Sequence, residues 1–369
     1  GARVVVAGSL RRGARRVKDA DLAAATDDPG AVVRALVAHP ATAEVLSEGP
    51  ARTVVRTHSG LRVELRTAPP ASFGNLLQHL TGSGAHNVRL RELARRSGRS
   101  VSEHGIEDAE GRVEVHADER GVYAALGLEE IPPELREDRG EIEQAREGRL
   151  PVLVREADIR GDLHVHTTWS DGKDTLAAMV EGARRRGYRY VAISDHSRSL
   201  AMAGGLDPDR VRRQWEEIDR LNAAQDDVRV LRGTEVDILA DGRLDFEDDL
   251  LAGFDVVVAS VHSGFRGGRE RLTARLLAAI ASPHVDVIGH PTGRRLGRRP
   301  PYDIDADRVF EAAAATGTLL EINAQPARLD LDEDLARRAL AAGARLAIGS
   351  DAHSVAALDY VRLGVAVAR

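Results

Sequence analysis

Residues 159–171 read Ile-Arg-Gly-Asp-Leu-His-Val-His-Thr-Thr-Trp-Ser-Asp, and this stretch governs how the larger part of the chain folds. Its first eight residues have the pattern of a strand. On it His164 and His166, two apart, project from one face and can reach one metal ion, and Asp171 follows in the loop. A His-x-His pair alone is a weak signal, because histidines on a strand face are more often exposed or hydrogen-bonded than metallated. Here the feature recurs. Strand-like segments at 159–166, 189–194, 229–238, 255–261, 286–290, 318–323 and 346–350 alternate with helical stretches such as Thr175–Arg186 and Asp307–Ala315. Ser194-Asp195-His196 ends the second strand and Gly233-Thr234-Glu235 lies on the third. Ser260-Val261-His262 ends the fourth, Gly289-His290-Pro291 the fifth and Ser350-Asp351-Ala352-His353 the last. Strand-helix alternation of this kind implies a parallel sheet or barrel with ligands at the C-terminal strand ends, and seven strands suggest an irregular barrel.

Carboxylates and imidazoles converging on one rim are costly unless cations compensate them. The chain has no cysteine, so a transition metal must be held by His, Asp and Glu. Two or three divalent ions answer both points, and closely spaced ions suit in-line displacement at phosphorus. The expected chemistry is phosphoester hydrolysis. With these residues in view, the segment from about Ile159 to Arg369 resembles the PHP (polymerase and histidinol phosphatase) domain, a distorted (βα)7 barrel. The resemblance implies His164, His166, Asp171, His196, Glu235, His262, His290, Asp351 and His353 as ligands of Zn or Mn ions, Glu235 as the bridging carboxylate, and Asp195 as a residue that orients its neighbour.

The first part of the chain is a small α/β unit. Val4-Val5-Val6, Thr53-Val54-Val55 and Leu61–Leu65 alternate with helical stretches up to about Ala71. Residues 73–98 read as helical and 101–115 as a hairpin, and the Pro-containing stretch after Ile131 reads as a linker. Gly8 and Ser9 open a helix whose N–H groups can hold a triphosphate, while Asp19 and Asp21 share a strand face suited to Mg2+. Followed by Thr81-Gly82-Ser83, His86-Asn87, Arg91 and Glu103-His104-Gly105, these motifs resemble the palm and thumb of family X DNA polymerases. That resemblance implies Ser9 and Arg12 at nucleotide phosphates, Thr81-Gly82-Ser83 under the sugar, and Asn87 and Arg91 facing the nucleotide and template. Mg or Mn would sit on Asp19 and Asp21. The third catalytic carboxylate falls at Glu64, one methylene longer than the family's aspartate, and a displacement near about 1 Å can cost about a hundredfold. Nucleotide addition is therefore expected to be impaired.

The resulting organisation is palm 1–71, thumb-like 72–130, linker 131–158 and PHP barrel 159–369. The palm motifs begin within ten residues of Gly1, so further N-terminal domains, and helices after Arg369, are expected in the natural protein. Gly1–Gly105 carries 16 Arg and Lys against 9 Asp and Glu in a chain of net charge −6, an asymmetry that fits a polyanionic partner as well as it fits an Arg-rich solvated surface. No run is long and apolar enough for a membrane span, and no signal pattern opens the chain, so a cytoplasmic, monomeric protein is expected. The function expected first is a DNA repair polymerase of family X, acting on primer-template or nicked or gapped DNA with deoxynucleoside triphosphates, whose PHP domain is a metal-dependent 3′-5′ exonuclease. The alternatives are a small-molecule phosphatase of the histidinol phosphate type with a degenerate palm, and a non-catalytic DNA-binding scaffold. Arg198 and Arg266, just after ligand positions, are candidates for flanking phosphates. His39, His58, His79, His116 and His284 are read as structural or surface residues.

Overall fold

A five-stranded sheet accounts for the first 68 residues. In the computed structural model, which describes residues 2–369, it is built from Arg3–Ala7 (β1), Ala20–Ala25 (β2), Thr42–Ser47 (β3), Arg52–Thr57 (β4) and Arg62–Ala68 (β5), with Gly8–Arg11 (α1) and Pro29–Val37 (α2) between them. The order is β1-β2-β5-β4-β3, and only β2 and β5 run parallel, setting Asp21 opposite Glu64. Asp19 lies in a bend just before β2 rather than on the strand itself. Small residues of the sheet, Ala7 and Ala23 among them, let Phe73, Leu76 and Leu77 pack closely on one face.

These three apolar residues belong to Phe73–Thr81 (α3). Gly84–Arg96 (α4) follows, capped by Ser83 Oγ on the His86 N–H at 3.1 Å. The hairpin expected at 101–115 is a three-stranded antiparallel sheet of Ser100–Ser102 (β6), Gly105–Glu107 (β7) and Val113–Glu114 (β8), and Glu119–Ala125 (α5) comes next. The stretch read as a linker departs from expectation. Ile131, Ile142 and Ala145 are buried with Leu90 of α4 and Tyr123 of α5, and Ile142 and Ala145 are carried on Glu141–Arg146 (α6). Six residues make less than two turns, too few for helical periodicity to appear, yet one face is enough to close the cluster. Two compact units result, Gly1–Val152 and Leu153–Arg369.

In the second unit seven parallel strands run Gly161–Val165 (β9), Tyr190–Ile193 (β10), Arg229–Asp237 (β11), Val256–Ser260 (β12), Val287–Ile288 (β13), Leu319–Asn323 (β14) and Leu346–Gly349 (β15), hydrogen-bonded in sequence order. The ring closes just past β15, where Ala352 bridges to Val165 and the His166 N–H donates to the Ala352 carbonyl at 2.8 Å. The intervening helices are Leu176–Arg185 (α7), Pro208–Ala224 (α8), Asp248–Leu251 (α9), Arg269–Ile280 (α10), Ala306–Thr316 (α11) and Glu333–Ala341 (α12), with Val361–Ala368 (α13) at the end. Thr175, Asp207, Asp305 and Asp332 cap four of them by accepting backbone N–H groups, so the sequence sets where each helix starts. Strands such as Val256-Val257-Val258 are buried on both faces, as parallel strands covered by helices must be. Inside the ring Ala192, Val256, Val258 and Val287 pack with Leu163, Leu231 and Leu319 into an apolar plug, and the polar residues follow at the C-terminal strand ends. A register shift between β9 and β10 sets Leu163 and His164 opposite the single residue Ala192, which turns His164 toward the interior beside the plug.

Candidate metal centre

Glu235, near the end of β11, sits where the histidines meet. Its Oε2 lies 3.4 Å from His164 Nε2, 3.6 Å from His166 Nε2 and 2.9 Å from His196 Nδ1. Its Oε1 lies 3.2 Å from His262 Nε2 and 2.9 Å from His290 Nε2. One carboxylate thus touches five imidazoles while 1% exposed, so water does little to screen it. Asp171 Oδ1 is 3.5 Å from His196 Nε2 and 3.3 Å from His353 Nε2, and Asp351 Oδ1 is 3.3 Å from His166 Nε2.

Three sets have ligand atoms mutually within 4.8 Å: His166, Asp171, His196 and His353; His164, His166 and Asp351; and His196, Glu235 and His262. Eight of the nine rim residues named from the sequence fall in these sets. His290 falls outside them, with its Nε2 on Glu235 Oε1. His290 and Asp351 have φ of 28° and 51°, a left-handed backbone that L residues enter at a cost and that the barrel rim imposes at both positions. Imidazole nitrogens of His164 (Nε2), His166 (both), His196 (Nδ1) and His290 (Nδ1) are buried with no aligned hydrogen-bond partner. A buried donor or acceptor left unsatisfied costs about 1–3 kcal/mol, so several in one cluster mark a place built for something else. Divalent cations fit this donor set, which is oxygen and nitrogen only.

The charge pattern agrees. Burial opposes a proton on His196 and His262, but Glu235 and the neighbouring carboxylates outweigh it and raise their pKa values to about 10 and about 9. His164 is likewise held well above the imidazole range, against burial, by Glu321, Glu235 and Asp351. Burial, aided by the charges of His353 and His196, lowers His166 to about 3. Despite burial, Glu235 and Asp351 are held well below the carboxylate range by the histidines around them. Without metal, the rim balances its charge with protons.

Several residues around the rim escaped the sequence reading. Glu321, on β14, takes His164 Nδ1 at 2.7 Å and the His290 N–H at 2.6 Å, fixing the ring of one and the backbone of the other. Asp237 holds His262 Nδ1 and receives the Ser199 hydroxyl at 2.5 Å. Asn323 donates to Glu321 and Asp351 at 3.1 Å each. Arg328, in the loop after β14, brings Nε within 3.4 Å of Asp351, and its Nε and Nη1 are buried without an aligned partner. The available signal was an isolated acid or amide on a strand buried on both faces. Asp195 accepts from Thr167 (N and Oγ1), Ser170 and Gln214, so it fixes the loop that carries Asp171. Arg198 pairs with Asp245 at 3.5 Å, and Arg266 is exposed.

The palm carboxylates stand differently. Gly8 has φ +63°, and a Cβ there would collide with the Asp21 carboxylate, so glycine is required for helix and strand to meet. Burial and then the charges of Asp19 and Glu64 raise the Asp21 pKa. Glu64 is gripped by Arg52 through both oxygens, at 2.8 and 2.9 Å, and by Arg62 at 2.9 Å, while Arg62 also holds Asp19 at 2.6 Å. The Arg52 guanidinium, opposed by burial and helped by Arg62, holds Glu64 below its ordinary pKa. Asp19, Asp21 and Glu64 are not among the metal-capable sets of the described residues. Of the nucleotide-binding candidates, Arg12 bonds Glu137 at 2.7 Å and the Thr81 carbonyl at 2.9 Å, and Asn87 donates to the His79 carbonyl at 2.8 Å. Gly82 packs against Asn87 and Ser83 caps α4. Ser9 is half-buried, and Arg91 bonds only the Asn87 carbonyl at 3.1 Å.

Comparison with known proteins adds to this geometry. Residues 76–137 match the DNA polymerase beta thumb and residues 162–325 the PHP domain. The chain is 42% identical over 366 residues to the DNA polymerase/3'-5' exonuclease PolX of Bacillus subtilis, covering 98% of this chain and 64% of that protein. Less than two thirds of that relative's length is therefore represented. Over 205 residues, 52% of this chain, it is 33% identical to a probable phosphatase of Caldanaerobacter subterraneus and 30% identical to the probable phosphatase YcdX of Escherichia coli, covering 75% and 78% of those proteins. No helix is long and apolar enough to cross a membrane among the described residues.

Proposed function

Because this chain belongs to the bacterial family X DNA polymerases that carry a PHP domain, we propose that its barrel rim hydrolyses phosphodiester bonds at DNA 3′ ends. One observation carries the reading: five imidazoles, four of them with unpartnered buried nitrogens, gathered on a single buried carboxylate, Glu235. Bound divalent ions, Zn or Mn, supply Lewis acidity and neutralise charge on the phosphate oxygens. Glu235, His164, His166, Asp171, His196, His262, His290, Asp351 and His353 would hold them. Glu321 and Asp237 keep His164 and His262 in the tautomers that present Nε2 to the rim. Arg328 offers a guanidinium to a phosphate oxygen beside Asp351.

In this reading the palm binds and orients primer-template or gapped DNA. It adds nucleotides poorly, because Mg or Mn on Asp19, Asp21 and Glu64 has to displace Arg62 and Arg52. Palm 1–71, thumb-like 72–130 and PHP barrel 159–369 remain the proposed division, with 131–146 assigned to the thumb because Ile131, Ile142 and Ala145 pack with Leu90 and Tyr123. The protein acts as a cytoplasmic monomer on DNA, with deoxynucleoside triphosphates as secondary substrates.

The likeness to probable phosphatases over 52% of the chain favours one second reading, hydrolysis of a small phosphomonoester. A 5′-labelled primer-template incubated with Mn2+ separates the two. Shortening by the wild-type chain that is lost in the His164→Ala, His166→Ala variant supports the nuclease. Release of phosphate from histidinol phosphate at much higher rates than shortening supports the phosphatase.

A further inference from the structure

Beside the rim, the loops that leave His262 and His290 build a feature the hydrolytic reading does not use. Phe265 lies three residues beyond His262, and its ring stacks on Tyr302 with centroids 6.0 Å apart and planes at 22°. The Arg299 guanidinium sits over the Phe265 ring, its Cζ 3.9 Å from the centroid. Arg299 is fixed in that position because its Nε donates to the Gly293 carbonyl at 2.8 Å. Tyr302 is tied to the metal-centre loop twice, by its hydroxyl on the Pro291 carbonyl at 2.7 Å and its N–H on the Thr292 carbonyl at 3.0 Å. Gly293 has φ +59°, and a side chain there would strike the Tyr302 ring, so the loop is shaped to receive it. Tyr302, Phe265 and Arg299 thus form a three-layer stack whose outermost layer is a planar cation, bordering an open cleft of about 760 Å3.

Arg266 and Arg299 line the cleft together with Asp303, and these two arginines and Arg295 and Arg298 of the same loop region, like a number of other arginines of the unit, have no carboxylate within 4.0 Å among the described residues. Arg266, Arg295 and Arg298 are exposed. Unneutralised arginines suit a phosphate backbone, and a guanidinium plane backed by an aromatic ring suits the face of a nucleobase. The cleft is of the size that holds a small-molecule ligand.

We propose that the 3′-terminal nucleobase of a single DNA strand stacks on Arg299, backed by Phe265 and Tyr302, while its phosphodiester lies at the histidine and carboxylate rim and the preceding phosphates run along Arg266, Arg295 and Arg298. This rests on the reading of the rim as a DNA 3′-end hydrolase, and it adds the element that selects a frayed, unpaired terminus over a paired one. A paired terminal base keeps its face covered by its neighbour and cannot enter the stack.

The test uses the full chain and two readouts. Single strands ending in a normal nucleotide or in an abasic residue are digested with Mn2+, and a strand with 2-aminopurine at its 3′ end reports stacking by fluorescence quenching with the His164→Ala, His166→Ala variant, which does not cut. Stacking of a base contributes about 1–3 kcal/mol, so the wild-type chain is expected to favour the normal end by about tenfold in kcat/KM, chiefly through KM. In Arg299→Ala that preference falls toward one and the 2-aminopurine quench disappears. Arg299→Lys, which keeps the charge and loses the plane, fails to restore either. No preference between the two ends in the wild type, or an Arg299→Ala loss equal for both ends with the quench intact, overturns the stacking proposal while leaving the nuclease in place. Quenching without any digestion by the wild type overturns the nuclease and keeps the base-stacking site.

Discussion

Two acidic clusters sit at strand ends in this molecule, and they differ in what neutralises them. At the barrel rim the carboxylates Glu235, Asp171 and Asp351 face imidazoles, neutral or protonated according to what else is present, with nitrogens left unpartnered. In the palm, Glu64 and Asp19 face the guanidiniums of Arg52 and Arg62, permanent cations that already supply the charge a metal would bring. Imidazole yields its proton to a metal ion, whereas guanidinium cannot and must move away. Two carboxylate clusters therefore point to different functions, and the partner side chains distinguish them.

The largest effect that bears on this contrast is expected from Glu235→Gln. It leaves five histidines without their shared anion and should cut Mn2+-dependent DNA shortening by roughly a hundredfold or more, measured as initial rates on a 5′-labelled strand. Residual activity near the wild-type value would dissolve the rim as a single centre. Glu321→Gln keeps every rim residue but loosens His164, and a fall of about 10–100-fold, partly rescued by raising Mn2+, is expected. Stripping metal with a chelator should lower the melting temperature of the barrel by roughly 5–10 °C, and rebinding at about pH 7.5 should release protons from His196 and His262, whose pKa values of about 10 and about 9 stand above that pH. Titration calorimetry in two buffers of different ionisation heat reads that release directly.

On the palm side, Glu64→Asp combined with Arg52→Ala should raise nucleotide incorporation severalfold over the starting chain. No gain would show that the guanidiniums are not what holds the palm back. The smallest effect concerns Glu119, a second carboxylate gripped by guanidiniums in that unit, Arg11 at 2.6 Å and the buried Arg136. Burial pushes its pKa up, but Arg11 and Arg136 outweigh burial and hold it below the ordinary value of 4.5. The stability it contributes is present above that ordinary value and is lost as pH falls through the depressed one. Melting curves between about pH 6 and pH 3 should therefore drop more steeply for the wild type than for Glu119→Gln.

The barrel was legible because each of its strands carries its own local signature. Seven apolar runs and a His, Asp or Glu at the end of most of them can be read one at a time. Glu321 and Asp237 were hidden by the same logic, since a lone acid in Leu319-Leu320-Glu321-Ile322-Asn323 looks like the solvent side of an alternating strand until the ring closes and turns it inward. The Arg52 grip on Glu64 depends on the register of β4 against β5, in which Val54 stands opposite Glu64 and Arg52 reaches it diagonally. No motif encodes that neighbour. The packing of Ile131, Ile142 and Ala145 was invisible because a helix of six residues shows no period.

The contrast between the two clusters comes down to where divalent ions bind. Metal content per chain, measured after loading with Mn2+ or Zn2+ and exhaustive dialysis, is expected to be two or three ions for the wild type, unchanged in Asp19→Asn, Asp21→Asn and lost in His166→Ala, His353→Ala. Ions that survive the histidine changes but leave with the palm aspartates would contradict the account.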